Sequence, residues 1–331
     1  MRSIRLDSAV SIRGKIQMLM VLFLVMFMIS ACAGINIEAT RALSMTGRNA
    51  AIQMQQNIFV SDKEYLRARD SEALLHGFSG TTRLGKYTEI LKLYNEIHWE
   101  LAKRSVVFEK LADLYDAFGE LAGLDAGEQT EKALGDIGGA IKEYAEQLKQ
   151  PPPIYSDTTA VISKIGGLVA TEIQKAKIKE ASIQIRARVE DIQKLLENKL
   201  IREQMTGFQE FLLSDRKAAF VKLWDAGVYD PTPLLNDFGA DVGLVAQKYV
   251  TTLIKTNKEL KDALAEVLDK RLTIKSELTK QSYDASLGVL KHLVTEHKKL
   301  EQGKPLDLTR LRAIVAELRS IAVLLTKAKT D

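Results

Sequence analysis

Cysteine is almost missing from this 331-residue chain: Cys32 stands alone, so no disulfide can form within it and stability has to come from packing. Proline is scarce as well. Its six occurrences fall at Pro151 to Pro153, at Pro231 with Pro233, and at Pro305, which leaves long tracts free of the residue that breaks helices. An excess of one charge is also missing. The first 31 residues hold Arg2, Arg5, Arg13 and Lys15 against Asp7 alone, and the remainder carries 43 basic and 42 acidic residues, interspersed. Such a balance lacks the basic footprint that phosphate backbones demand and excludes nucleic acid as an expected partner. What the chain does have is 46% apolar residues, enough for a sizeable core.

Those apolar residues recur at helical spacing. Val107, Leu111, Leu114, Phe118 and Leu121 step by four and three, the stripe of a helix lying along another. Ala133, Ile137, Ala140, Ile141, Tyr144 and Leu148 mark a shorter helix, and Gly135, Gly138 and Gly139 beside that stripe predict a close approach by another backbone. A third stripe runs from Ile165 through Ile185, Val189 and Leu196 to Leu212, capped by Ser156 or Asp157; continuous to Trp224 it would be roughly 100 Å long, with Gly207 as its kink. Trp224 to Gly239 reverses the chain. A second long helix carries Leu264, Val267, Ile274, Leu287, Leu290 and Val294 inward and stops at Gln302 to Pro305, after which Asp307 caps a final helix bearing Leu311, Ile314, Leu318, Ile321 and Leu325. The expected fold is all-α: an elongated antiparallel helical bundle with two long coiled-coil-like helices. Residues 32–150 form its N-terminal helices and 151–331 a long hairpin plus a C-terminal helix, packed together as one bundle.

Chemistry-bearing motifs are few, and each departs from what its chemistry needs. Gly80 to Tyr87 has the glycine and lysine spacing of a phosphate-binding loop, but Tyr87 stands where a serine or threonine should ligate magnesium, and no strand precedes it. A dinuclear metal site in a bundle needs Glu-x-x-His. Three residues before His76, His98, His292 and His297 stand Ala73, Asn95, Val289 and Val294, so no metal ligation is expected. His76 to Gly80 approaches a nucleophile elbow, and Thr81 breaks it. No catalytic constellation and no cofactor follow. Tyr94, His98, Trp99 and Phe108, and likewise Phe208, Phe211, Phe220 and Trp224, read as bundle core ahead of a ligand groove. The lysines of Lys175 to Glu180 and of Lys255 to Lys261 read as solvated faces.

The N-terminus is the most specific feature. A basic and polar stretch leads into the uninterrupted apolar run Met18 to Ile29, of signal-peptide length, and then Ile29-Ser30-Ala31-Cys32. Small residues directly before a cysteine at the end of such a run resemble the lipobox of bacterial lipoproteins, with Ile29 where leucine is commoner. The resemblance implies a signal peptide over residues 1–31, cleavage before Cys32, and thioether attachment of a diacylglycerol to it. Ala33 after the cysteine, in place of aspartate, implies sorting to the outer membrane in a Gram-negative cell.

The expectation is therefore a lipid-anchored, non-enzymatic binding or structural protein of the bacterial cell envelope, with membrane lipid as its partner through acylated Cys32 and an envelope protein against its long faces. Two alternatives remain open. Residues 16–37 could serve as an uncleaved transmembrane anchor for a ligand-sensing bundle, Arg13 and Lys15 holding the N-terminus in the cytoplasm. Alternatively, Val161 to Ala170, with Gly166-Gly167, could be the apolar insertion element of a membrane-active bundle resembling helical pore-forming toxins.

Overall fold

The computed structural model describes residues 35–79, 84–123, 127–149, 170–198, 216–228 and 256–327, with isolated positions between 230 and 243. These residues are helical with no strand among them, as the sequence predicts. Six helices carry the architecture: α1 (Ile37–Ser79), α2 (Leu84–Leu121), α3 (Gly127–Gln147), α4 (Ala170–Leu196), α5 (Lys258–Glu301) and α6 (Thr309–Lys327). A further helical stretch covers 216–225.

The helix ends follow local chemistry. Asn36 caps α1, its Oδ1 accepting the amides of Glu38 at 2.9 Å and Ala39 at 3.1 Å. Asn257 does the same for α5, accepting from the Leu260 amide at 3.0 Å. The α5 terminus closes through Gly303 at φ 65°, with the amides of Gly303 and Lys304 returning to the carbonyls of Leu300 and Lys299, and Pro305 forbids continuation. Asp307 then receives the Thr309 amide at 3.1 Å, the predicted cap of α6.

Side-chain pairs fix the packing. Arg48 meets Asp116 and Asp62 meets His98, so α1 and α2 run antiparallel. Lys103 meets Glu143, which lays α3 back along α2. Glu190 reaches Lys298 and Glu197 reaches Lys291, so α4 and α5 are antiparallel too. Asn57 Nδ2 donates to the Leu318 carbonyl at 3.2 Å, placing α6 along α1, its N-terminus beside that of α1. One contiguous core then runs through all six helices, from Leu43 and Met54 through Leu111, Phe118, Ile141 and Val189 to Leu290 and Leu311. A small satellite joins Trp224 to Leu264.

Three expectations need correction. The third stripe does not make one continuous helix: α4 closes at Leu196, and Glu197 and Asn198 lie outside helix, where Tyr283 donates its hydroxyl to the freed Leu196 carbonyl. The proposed cap at Ser156 or Asp157 and the kink at Gly207 lie outside the described residues. In the first half of α5, Leu264 is buried as expected, but Val267 and Ile274 are exposed, Ile274 at 56%, and Leu272 is buried instead.

The third correction concerns glycine. Gly135 and Gly139 have nothing within 4 Å of an added Cβ, and Gly138 meets only the Arg188 guanidinium at an ordinary 3.7 Å. Close approach occurs elsewhere. A Cβ on Gly47 would lie 2.5 Å from the Tyr115 ring, and one on Gly119 would lie 2.5 Å from Ser44 Oγ. This pair of glycines sets how closely α1 and α2 cross, and the Ser44 hydroxyl donates to the Tyr115 carbonyl at the same place.

Candidate functional site

The histidines divide between core and surface. His297 is fully buried: Tyr115 Oη lies 3.0 Å from its Nε2 and Ser182 Oγ lies 2.8 Å from its Nδ1. Two hydroxyls, each able to donate and accept, satisfy either neutral tautomer. Burial, and then the positive charge of Arg186, push the imidazole down to about 3, so it is uncharged at neutral pH. Burial likewise drives the Tyr115 phenol well above its ordinary range. Serine, histidine and tyrosine in a row suggest a proton relay, yet Ser182 and His297 have no exposed surface for a substrate to meet. The triad is a polar clasp joining α2, α4 and α5. His98 pairs with Asp62 near the surface, at 2.7 Å. No group of three or more metal-ligating side chains exists among the described residues.

A second buried network lies one stretch further along α2. Arg104 and Glu100 form a nearly covered ion pair, Tyr144 donates to Glu100 Oε1 at 2.7 Å, and the guanidinium sits 5.6 Å from the centre of the Tyr283 ring. Burial alone would ease the proton off Arg104, but Glu100 outweighs it and holds the charge. Burial raises Tyr144 well above its normal range. Beyond this pair, Glu64 of α1 is opposed by Arg67, Arg216 and Lys275. Burial would raise its carboxyl, and Lys275 followed by Arg216 and Arg67 more than reverses that. That cluster fastens the 216–225 stretch to α1 and α5.

An open concavity sits at one end of the bundle, where the N-terminus of α1 meets the α5–α6 turn. It is an open groove of about 560 Å³ bordered by Asn36, Ala39, Gly303, Lys304, Thr309 and Arg312. Two helix N-termini border it, their first amides already taken by the Asn36 side chain and the Asp307 carboxylate. Lys304 and Arg312 add full charges and take no ion pair among the described residues, and Arg41 and Arg310 at the same end are equally unpaired. Asp307 is the one carboxylate in the lining, and it is committed to the Thr309 amide, which keeps its pKa below the ordinary value. On α5, His292 has its pKa lowered by burial and then by Arg310.

Sequence reasoning found the Asp307 cap but not the groove, because residues 36 and 312 become neighbours only through the parallel packing of α6 on α1. The lipidation candidate Cys32, the apolar run before it, the Gly80 to Tyr87 loop and the Val161 to Ala170 segment have key residues outside the described set. Among the described residues no helix is long and apolar enough to cross a membrane. The predicted aromatic clusters split: Tyr94 and Phe108 are core and Trp99 is 58% exposed, while Trp224 anchors the satellite. Compared with protein families, with curated proteins and with solved structures, the chain matches none.

Proposed function

We propose that this chain is a bacterial lipoprotein: a non-enzymatic helical bundle that the acylated Cys32 tethers to a membrane of the cell envelope, where its long faces serve as a binding or spacer surface. The observation that carries the reading is the coincidence of basic region, apolar run, small residues and a unique cysteine at Ile29-Ser30-Ala31-Cys32. The fold is consistent with it. Whatever the path from Cys32 to Ile37, five residues reach no more than about 17 Å, so α1 would begin within that distance of the lipid. Helix α1 is tied by one core to every other major helix, so a single attachment point would hold the whole bundle.

The test is membrane fractionation combined with intact mass. Wild type is expected in the membrane fraction with a mass that fits a chain starting at acylated Cys32, and Cys32→Ser is expected to leave an uncleaved, unacylated precursor. An unmodified wild-type chain beginning near Met1 would overturn the lipoprotein reading in favour of an uncleaved anchor over residues 16–37.

A further inference from the structure

We infer that a small cavity in the middle of the bundle, between α1, α2 and α5, is an internal hydration site, in which one ordered water donates to Asn57 Oδ1 and bridges α1 to the hydroxyls of α5. It holds whether or not Cys32 is acylated.

The cavity interrupts an apolar core with a polar patch. Thr279, Ser282 and Ser286, at steps of three and four, give one face of α5 a row of hydroxyls, and they line the cavity opposite Asn57 and Ser61 of α1. Arg104 of α2 completes its polar wall, and Phe108 and Leu196 are among the apolar residues that line the rest. The site is deep: Asn57 is 2% exposed and Ser282 is 4% exposed.

Hydrogen-bonding capacity shows what such a site needs. Asn57 Nδ2 donates to the Leu318 carbonyl at 3.2 Å, and this sets the orientation of the amide, since turning it over would place one carbonyl oxygen against another. Its Oδ1 is then buried with no hydrogen-bond partner among the described residues. Buried acceptors are seldom left in that condition. Three of the surrounding hydroxyls cannot supply the missing proton, because Ser61, Thr279 and Ser286 spend theirs on the carbonyls of Asn57, Lys275 and Ser282. Each keeps lone pairs, so the lining is rich in acceptors and calls for a small molecule that donates more than one hydrogen bond.

Size and charge select water among such molecules. The volume is about 30 Å³, and one water needs about 10–15 Å³ together with two to four polar partners. An alkali cation would find the acceptor oxygens but would lie beside the Arg104 guanidinium, and an anion would find the guanidinium, already paired with Glu100, but would face the acceptors. A neutral molecule with two protons to give conflicts with neither.

The test is crystallographic and uses the full-length chain in detergent, crystallised once from a rubidium salt and once from a bromide salt of sodium, with anomalous difference maps from each. The expected result is one peak about 2.7–3.2 Å from Asn57 Oδ1, present in both crystals without anomalous signal and lost in Asn57→Leu, whose side chain has no acceptor. An anomalous peak from rubidium would overturn water in favour of a cation, and one from bromide would overturn it in favour of an anion. The hydration site is also overturned if no peak stands there, or if the peak persists in Asn57→Leu. Gln53, one turn earlier on α1, has a buried Nε2 without an acceptor as well, and a direct bond from it to Asn57 Oδ1 in the map would remove the need for water.

Discussion

The hydroxyl of Tyr115 lies 3.0 Å from Nε2 of His297, so one side-chain contact joins α2 to α5 across 182 positions of sequence. The same tyrosine presents its ring to Gly47 of α1, and its imidazole partner meets Ser182 of α4. Four helices therefore meet around two residues. Tyr115→Phe keeps the ring and removes the hydroxyl, leaving a buried ring nitrogen without its partner, at a cost of about 1–3 kcal/mol. Urea unfolding should show a lower midpoint with an unchanged slope. Stability equal to wild type would mean that the contact contributes nothing.

The buried imidazole makes stability depend on pH. His297 has a folded pKa of about 3, below its ordinary value of 6.5, so the unfolded chain binds the proton first as pH falls. The stabilisation is complete above pH 6.5 and is lost progressively down to pH 3, at about 1.4 kcal/mol per unit. Carboxylates contribute over part of the same range. The checkable quantity is therefore the difference in slope between wild type and His297→Gln from denaturant titrations between pH 6 and pH 4. Parallel curves would remove His297 as the source.

Glycines only a helix apart should respond in opposite senses. Gly47→Ala forces a methyl to within 2.5 Å of the Tyr115 ring and should cost about 1–3 kcal/mol by pushing α1 off α2. Gly135→Ala meets nothing within 4 Å inside α3 and should stabilise by roughly 0.5–1 kcal/mol through helix propensity. Melting temperatures that move in the same direction for both would contradict the packing described at the α1–α2 crossing.

The covered ion pair of α2 should be sensitive to removal of its acid. Glu100→Gln leaves Arg104 charged and nearly buried with no carboxylate, and the expected loss is about 3–5 kcal/mol. Tyr144→Phe removes one hydrogen bond to that carboxylate and should cost about 1.5–3 kcal/mol. In the double variant the two losses should fall short of additivity, since both act on Glu100 Oε1, and a double-mutant cycle measures the difference.

Much of the fold was legible because helical periodicity is local. Val107, Leu111, Leu114, Phe118 and Leu121 are all buried as their spacing predicts, and the Asp307 cap and the stop at Gly303 and Pro305 follow from neighbours a few residues away. What sequence reasoning missed depends on partners distant in the chain. Gly47 and Gly135 look alike in sequence, and only Tyr115, 68 positions from the first of them, tells them apart. Ile274 fits an inward stripe by spacing, yet in that half of α5 Leu264 and Leu272 are the buried residues. The groove was invisible for a related reason: its lining joins residues 39 and 42 to 304, 307 and 312.

Helix α1 extends for 43 residues, about 65 Å, and its neighbours α2 and α6 lie alongside it. A pull applied at Ile35 along the axis of α1 would act on that whole length. Extracting the helix would slide its whole packed face past its neighbours at once, where a sideways load would peel it away turn by turn. A bundle anchored through Cys32 as proposed, and pulled along α1, would be loaded in shear, the geometry in which many small contacts resist together. Its endurance under tension is set by how slowly that joint gives way.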